Sequence, residues 1–255
     1  DQIPYLHATK SVGERTKQYF RSFLKDTLGN LWVLIHNPSY ISVCACWLIL
    51  AICAGLVAVV STYTFVYAFE FSTEEIAIRG LIALPGAFLG VVFSRWLVNI
   101  FDKKYTVIFT ILITAFLLAL PFCLRLLGWF PENGTIWTLV AFFAIWTPAL
   151  IFLPVVPIVI DSQLVDITDE HELQTGNRSE GVIFSIRTFA IKMTSGLGGL
   201  MAGFGLELIG FPQNASVETL DPAVIDGLLW MMGPVYLAII YAGLGFAFLY
   251  RIKKE

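Results

Sequence analysis

Residues 42–69 read SVCACWLILAICAGLVAVVSTYTFVYAF, with no Asp, Glu, Lys, Arg or His in 28 positions. A helix needs about 20 residues to cross a bilayer, so this run is long enough to span one. It is apolar on all sides rather than along one stripe, and such a helix has to be surrounded by hydrocarbon or by other helices of its kind. Transmembrane strands alternate over segments of about 10 residues, and this run does neither. The fold class is therefore all-α and membrane-embedded.

Five similar stretches follow, at about 77–100, 105–128, 136–160, 182–209 and 227–250. Polar breaks separate them: Glu70 to Glu75, Asp102-Lys103-Lys104, Pro131-Glu132-Asn133-Gly134, the charged run 161–180, and 211–226. Composition agrees. Of 255 residues 57% are apolar and only 14% charged, against roughly 25% charged in an average soluble domain. Mean hydropathy is +0.77. The net charge of −3 leaves no basic stripe for nucleic acid. Residues 1–40 form the only long polar segment. Apolar residues recur there at Tyr19/Phe20, Phe23/Leu24, Leu28 and Leu31/Trp32, a spacing that predicts an amphipathic helix at the membrane surface. The remainder, 41–255, is the six-span part.

Lys and Arg resist transfer out of the cytoplasm, so their distribution sets orientation. With the N-terminal segment inside, twelve of the sixteen basic residues fall in the segment itself, the second-to-third and fourth-to-fifth junctions, and the tail. The opposite side has only Arg79 and Arg125, among acidic loops. Both termini are expected in the cytoplasm and the bundle in the plasma (inner) membrane. Arg79, one turn after Glu75, is expected to pair with it at i,i+4. The triplets at Asn133 and Asn214 match the glycosylation pattern and fall on the predicted outside, a weak signal. Cys44, Cys46, Cys53 and Cys123 lie in apolar spans and read as helix packing. His7, His36 and His171 are too scattered for a metal cluster, and no GxSxG, Walker A or HExxH motif argues for an enzyme or a cofactor.

The richest local pattern runs from the fourth stretch into the fifth. Asp166, Asp169 and Glu172 recur every three residues after Asp161, forming an acidic ridge on a helical extension that Thr175-Gly176 ends; Arg178 and Glu180 follow. Arg187, about 9 Å into the fifth span, could reach that ridge. Lys192 lies about 16 Å deep, near the middle of a core about 30 Å thick. A lysine there costs at least ~2.5 kcal/mol unless it meets water or a partner. Ser195, Gly199 and Gly203 make a small-residue ridge spaced by four, and Lys192 shares its side, so it is expected to face the bundle or a wet cavity. Pro148, Pro154 and Pro157 in the fourth span, and Pro85-Gly86 with Gly90 in the second, predict the loosened helices common in transporters. Tyr63, Thr64 and Tyr67 could line the same cavity.

The block from Val165-Asp166-Ile167-Thr168-Asp169-Glu170-His171-Glu172 through Thr175-Gly176-Asn177-Arg178-Ser179-Glu180-Gly181 to Ser185, Phe189, Lys192 and Gly196-Leu197-Gly198-Gly199 resembles a known signature. It is similar to that of the glycoside–pentoside–hexuronide:cation symporters, the melibiose-permease-like branch of the major facilitator superfamily. There an acidic segment, a TG-x-R-x-EG turn and an intramembrane Lys link the tenth and eleventh spans. Asp102-Lys103-Lys104 takes the place of the family's basic loop between the eighth and ninth spans. The resemblance implies a six-helix half-bundle of a major-facilitator-type transporter. It implies Lys192 at the sugar and cation region, with Asp166 and Arg178 helping to close the cytoplasmic side. The family's cation-binding acids lie in the N-terminal six spans and have no counterpart here. A coupling cation, sodium or proton, is then expected mainly in a missing N-terminal six-helix half. Beginning at Asp1, the chain reads as the C-terminal half, with 1–40 as the linker between halves. The expected partners are a small-molecule substrate, the lipid bilayer and that half. A lysolipid or amphiphile symporter and a non-transporting six-span scaffold are the alternatives.

Overall fold

The computed structural model describes residues 20–21, 28–177, 179–212, 214–217 and 219–252, the side chains of Ile186, Thr194 and Ser195 aside. Most of the expected surface helix lies outside the described residues; 28–34 is helical. Asn37 starts the first membrane helix, α1 (Pro38–Tyr63). Its Oδ1 accepts from the Ser39 and Tyr40 amides at 2.8 and 3.3 Å, and Pro38 fills a first-turn position where no donor is needed. A wide π turn, Thr64–Ala68, carries α1 onward. Ser72 and Glu75 form a reciprocal capping box that opens α2 (Thr73–Ile100). The expected loosening at Pro85 does not break α2, which runs through it.

Asp102 caps α3 (Lys103–Leu126). The fourth stretch is two helices, α4 (Ile136–Phe152) and α5 (Val155–Thr175), parted at Leu153-Pro154. It continues well past residue 160, until Gly176 at φ 71 takes the left-handed cap that glycine adopts without strain. Then come α6 (Glu180–Met193), a π turn (Thr194–Gly198) and α7 (Gly199–Leu208). The last span is α8 (Pro222–Trp230), a third π turn (Met231–Val235) and α9 (Tyr236–Ala247). Among the described residues there is no strand, and five continuous stretches are long and apolar enough to cross a membrane. The α6–α7 segment, which carries Arg187 and Lys192, is not one of those five.

α1 packs on α9 and on the α6–α7 segment, α3 lies against α4, α5 and α9, and α2 lies against α4 and α5. Glycines set the closest crossings. A Cβ at Gly198 would sit 2.5 Å from the Gly55 Cα, and one at Gly90 would sit 2.4 Å from the Ile151 carbonyl oxygen. The packed small face of the α6–α7 segment is thus Gly198, Ala202 and Gly205 rather than the expected Gly199 and Gly203; the side chain of Ser195 lies outside the description. Gly199 and Gly203 have no neighbour within 4 Å of an added Cβ. The π turn at Thr194–Gly198 explains the change, since its wider turn displaces the helix face by about one position.

The two ends of the bundle differ. At one, the Arg251 amide donates to Ser39 Oγ (3.2 Å) and Asn37 Nδ2 to Glu170 Oε2 (2.8 Å), so the start of α1 meets the chain after α9. At the other, Phe65, Phe69, Phe71, Phe122, Phe130 and Phe142 interlock edge to face. Asn133 Nδ2 donates there to the Ala68 carbonyl (3.2 Å) and to Glu70 Oε1 (2.8 Å). That nitrogen would carry a glycan, and both its hydrogens are already used.

Candidate functional site

A cavity of about 630 Å³ runs into the bundle between α1 on one side and α2, α4 and α5 on the other, floored by α3 and α9. That volume lies in the range of small-molecule sites. Its wall is mostly aliphatic and aromatic, with Trp47 and Trp146 as the large rings. Ser61, Thr114 and Tyr236 add hydroxyls, and Arg79 supplies the one charged side chain on the lining.

Arg79 does not pair with Glu75 as the i,i+4 spacing suggested. The Glu75 carboxylate turns back to accept from the Ser72 amide at 2.8 Å, completing the cap. The guanidinium instead lies over the ring of Phe65, 4.8 Å from its centre, and 5.5 Å from that of Trp146. Cap formation and cation–π attraction together outweigh an exposed i,i+4 ion pair, worth only about 0.3–0.5 kcal/mol.

The residues expected to line a pathway are not on the lining of this cavity. Tyr63 and Tyr67 meet Phe211 edge-on at 5.0 and 5.3 Å, and Tyr67 Oη donates to the Ala215 carbonyl. They brace the loop after α7 and are not among the cavity residues. Lys192 is exposed, one position beyond Ile191, which does reach the cavity. On the same stretch Gly196, Gly199 and Gly203 have open space in front of them.

The acids divide between two partners. Asp161 accepts from Arg187 Nη1 at 2.5 Å, tying α5 to α6. Its Oδ1 and the Arg187 Nε are buried with no partner among the described residues. Asp166 accepts from Lys103 Nζ at 2.6 and 2.7 Å and from Tyr250 Oη at 3.1 Å, tying α5 to the start of α3 and to the chain after α9. Burial and the Asp166 carboxylate push the Tyr250 phenol up, so it remains a donor. Lys104 adds a clasp, donating to the Phe248 and Tyr250 carbonyls at 2.7 and 2.8 Å. Asp169, Glu172 and Glu180 each have an interaction partner. Arg178 lies outside the described residues.

Lys103, Lys104, Asn37 and Tyr250 were not expected at this cluster. Lys103 and Asp166 lie 63 positions apart, and no local periodicity pairs them. Arg79 carries the same sequence signal as Lys192: it is a cation inside a span, about 9 Å from the helix start.

A helical bundle with broken spans, a deep internal cavity and a charged clasp at one end has the build of a membrane transporter rather than an enzyme. The comparisons agree. Residues 12–254 match the family described as MFS/sugar transport protein. The chain belongs to that family, within the glycoside–pentoside–hexuronide:cation symporters. It is 31% identical over 188 residues to the uncharacterized symporter YjmB of Bacillus subtilis (strain 168), covering 72% of this chain and 37% of that one. It is 28% identical over 79 residues to the putative glycoside/cation symporter YagG of Escherichia coli (strain K12), covering 31% of this chain and 16% of that one. The matched segments span well under half of either relative's length.

Proposed function

We propose that the chain forms the C-terminal half of a twelve-span cation-coupled symporter for sugars or related small solutes, working by alternating access. The observation that carries this reading is a bundle hollow in its middle and tied at one end by charged side chains that lie beside the cavity's helices. Alternating access needs a closure that can be made and unmade. The Asp161–Arg187 pair suits that role: one bond is made, while Asp161 Oδ1 and Arg187 Nε find no partner among the described residues. With both side chains about a third exposed, solvent screening leaves the pair worth little, so little free energy separates the closed and open arrangements. Asp166 with Lys103 and Tyr250 is better satisfied and acts as the anchor of the same inner gate. Asp169, Glu172, Arg178 and Glu180 belong to that gate.

The face of α6–α7 bearing Lys192 and the uncovered glycines is, in this reading, closed by the N-terminal six-helix half. There Lys192 meets substrate or responds to the coupling ion, sodium or proton. In proteoliposomes of the complete transporter, Lys192→Ala should abolish gradient-driven sugar accumulation while membrane insertion and monodispersity persist. Normal accumulation by this variant would remove Lys192 from the mechanism. The largely apolar cavity wall favours one second reading, symport of amphiphiles. Competition of a lysolipid with sugar uptake, below the concentration where it forms micelles, would support that reading.

A further inference from the structure

Between the large cavity and the charged clasp lies a second, much smaller pocket. It measures about 10 Å³, close to the least that holds one water. The two share walls. On α1 the lining passes from Trp47 of the large cavity to Cys46 of the small pocket, on α3 from Ile111 to Val107, and on α5 from Pro157 to Ile160. About one helical turn or less therefore divides them on these helices. Gln163 reaches the small pocket from α5; it is 3% exposed and has no hydrogen-bond partner among the described residues. Tyr250 also lines this pocket, and its Oη donates to Asp166.

The dividing stretch gathers unpaired polar atoms. Native interiors pair nearly all buried polar groups, and each exception calls for an explanation such as a water or an ion. Eight buried side-chain atoms have no partner among the described residues, and four of them are Trp47 Nε1 and the hydroxyls of Thr106, Thr110 and Thr114. Thr106 and Thr110 are wholly buried and Thr114 nearly so. Other helical threonines satisfy themselves: Thr64, Thr168 and Thr175 donate to the carbonyl four residues back at 2.9, 2.9 and 2.8 Å. The three on α3 do not. With Lys103 they are spaced three, four and four, and so share one face of α3. Lys103 at one end of that face bonds Asp166, and Thr114 at the other lines the large cavity. Four residues of helix rise about 6 Å, and a water bonded to two hydroxyls spans about 5.5 Å.

We propose that this face of α3 and the Gln163 pocket bind a file of waters that relays protons between the large cavity and Asp166. One water bridges each pair of threonine hydroxyls, and another sits on the Gln163 amide beside Tyr250. Hydroxyls and waters both donate and accept. Each passes a proton onward as it takes one from behind, so none is consumed. Tyr250 gives its proton to the Asp166 carboxylate while accepting one from the pocket water. Asp166, about a quarter exposed, releases that proton to the water at the clasped end. The symporter reading supplies the purpose, a way out for a coupling proton, but the relay is measurable without solute transport.

The test uses the complete transporter in proteoliposomes with a pH-sensitive dye trapped inside. A potassium diffusion potential drives protons inward, with and without D-glucose. Proton entry should exceed that of protein-free vesicles. Thr110→Val, which replaces the hydroxyl by a methyl group, and Gln163→Leu should each lower it at least about tenfold, the scale of one lost hydrogen bond. Thr168→Val removes a hydroxyl that already bonds the Leu164 carbonyl and should leave proton entry unchanged. Stability gives an independent sign. In a dry site Thr110→Val relieves an unpaired hydroxyl, so the melting temperature holds or rises; at a bound water it should fall by about 2–4 °C. No entry above protein-free vesicles, entry unchanged in Thr110→Val, or a melting temperature that does not fall overturns the proposal. Gln163→Leu decides if the Thr110 variant does not fold. Glucose uptake driven by sodium with no proton entry keeps symport and removes the relay. Proton entry that falls in Thr110→Val, with no glucose uptake driven by either cation, does the reverse.

Discussion

At the scale of single residues, Asp166 shows what holds the charged end together. Its carboxylate accepts two contacts from Lys103 Nζ and one from Tyr250 Oη. Asp102 aims that lysine: it adopts φ 50 and ψ 154, a conformation that costs about 1–3 kcal/mol for a residue other than glycine, and its side chain takes the Lys103 amide in return. The ion pair is about a quarter exposed on each side, so solvent screening leaves it about 1 kcal/mol. Tyr250 is buried, and its phenol is raised above the ordinary value of 10.0 by that burial and by Asp166. The folded state therefore keeps this proton at pH values where the unfolded chain loses it. The hydroxyl's contribution is fully present below about pH 10 and declines as pH rises above it. Tyr250→Phe should lower the melting temperature of the detergent-solubilised protein by about 2–4 °C at pH 7. Between pH 9.5 and 11 the variant should lose stability less steeply than the parent. Parallel pH profiles would mean the phenol does not bond Asp166.

At the scale of elements, the α6–α7 segment shows where periodicity stops being informative. Six apolar stretches can be read from length and charge alone, because crossing a bilayer imposes about 20 apolar residues whatever the neighbours are. The stop at Gly176 is legible for a similar local reason, a glycine after the last turn of a helix. The π turns are not legible, since a five-residue turn depends on what the helix packs against and leaves no composition signal. One such turn moves the packed face from Gly199 to Gly198, and with it every inference about which way Lys192 points. The i,i+4 rule fails at Arg79 for a comparable reason: the rule is local, while the rings that turn the side chain inward come from α4 and from the π turn after α1. Neighbouring glycines give a sharp test. Gly198→Ala places a Cβ 2.5 Å from the Gly55 Cα, backbone that cannot move without separating two spans, and should cost about 1–3 kcal/mol. Gly199→Ala meets nothing within 4 Å in this chain. Melting and yield of the detergent-solubilised variants should fall for the first and hold for the second. Equal behaviour would mean that the α1 crossing does not run through Gly198.

At the scale of the whole molecule, the placement of charge argues an orientation that the fold alone leaves open. Ser39 and Arg251 touch, so the first span starts and the last span finishes at one end of the bundle. That end gathers Lys103 and Lys104 in its clasp. The opposite end carries Glu70, Glu75 and Glu132, and its cations are withdrawn from the surface: Arg79 into the cavity, and Arg125 onto the Pro131 carbonyl at 2.8 Å, with Phe69 beneath it. Basic residues that approach the membrane from the aqueous side favour the cytoplasm, so the clasp should be inside and the phenylalanine cluster outside. Single cysteines in a background with Cys44, Cys46, Cys53 and Cys123 replaced by Ala read this directly. Glu132→Cys sits in the loop between α3 and α4, and Arg251→Cys lies beyond α9. A membrane-impermeant maleimide added to intact cells should label the first and not the second. Opening the cells should bring Arg251→Cys up to the same extent. Labelling of Arg251→Cys in sealed cells would invert the bundle, placing the Asp161–Arg187 and Asp166–Lys103 contacts on the outer side. An inner gate built from them would then have to be abandoned.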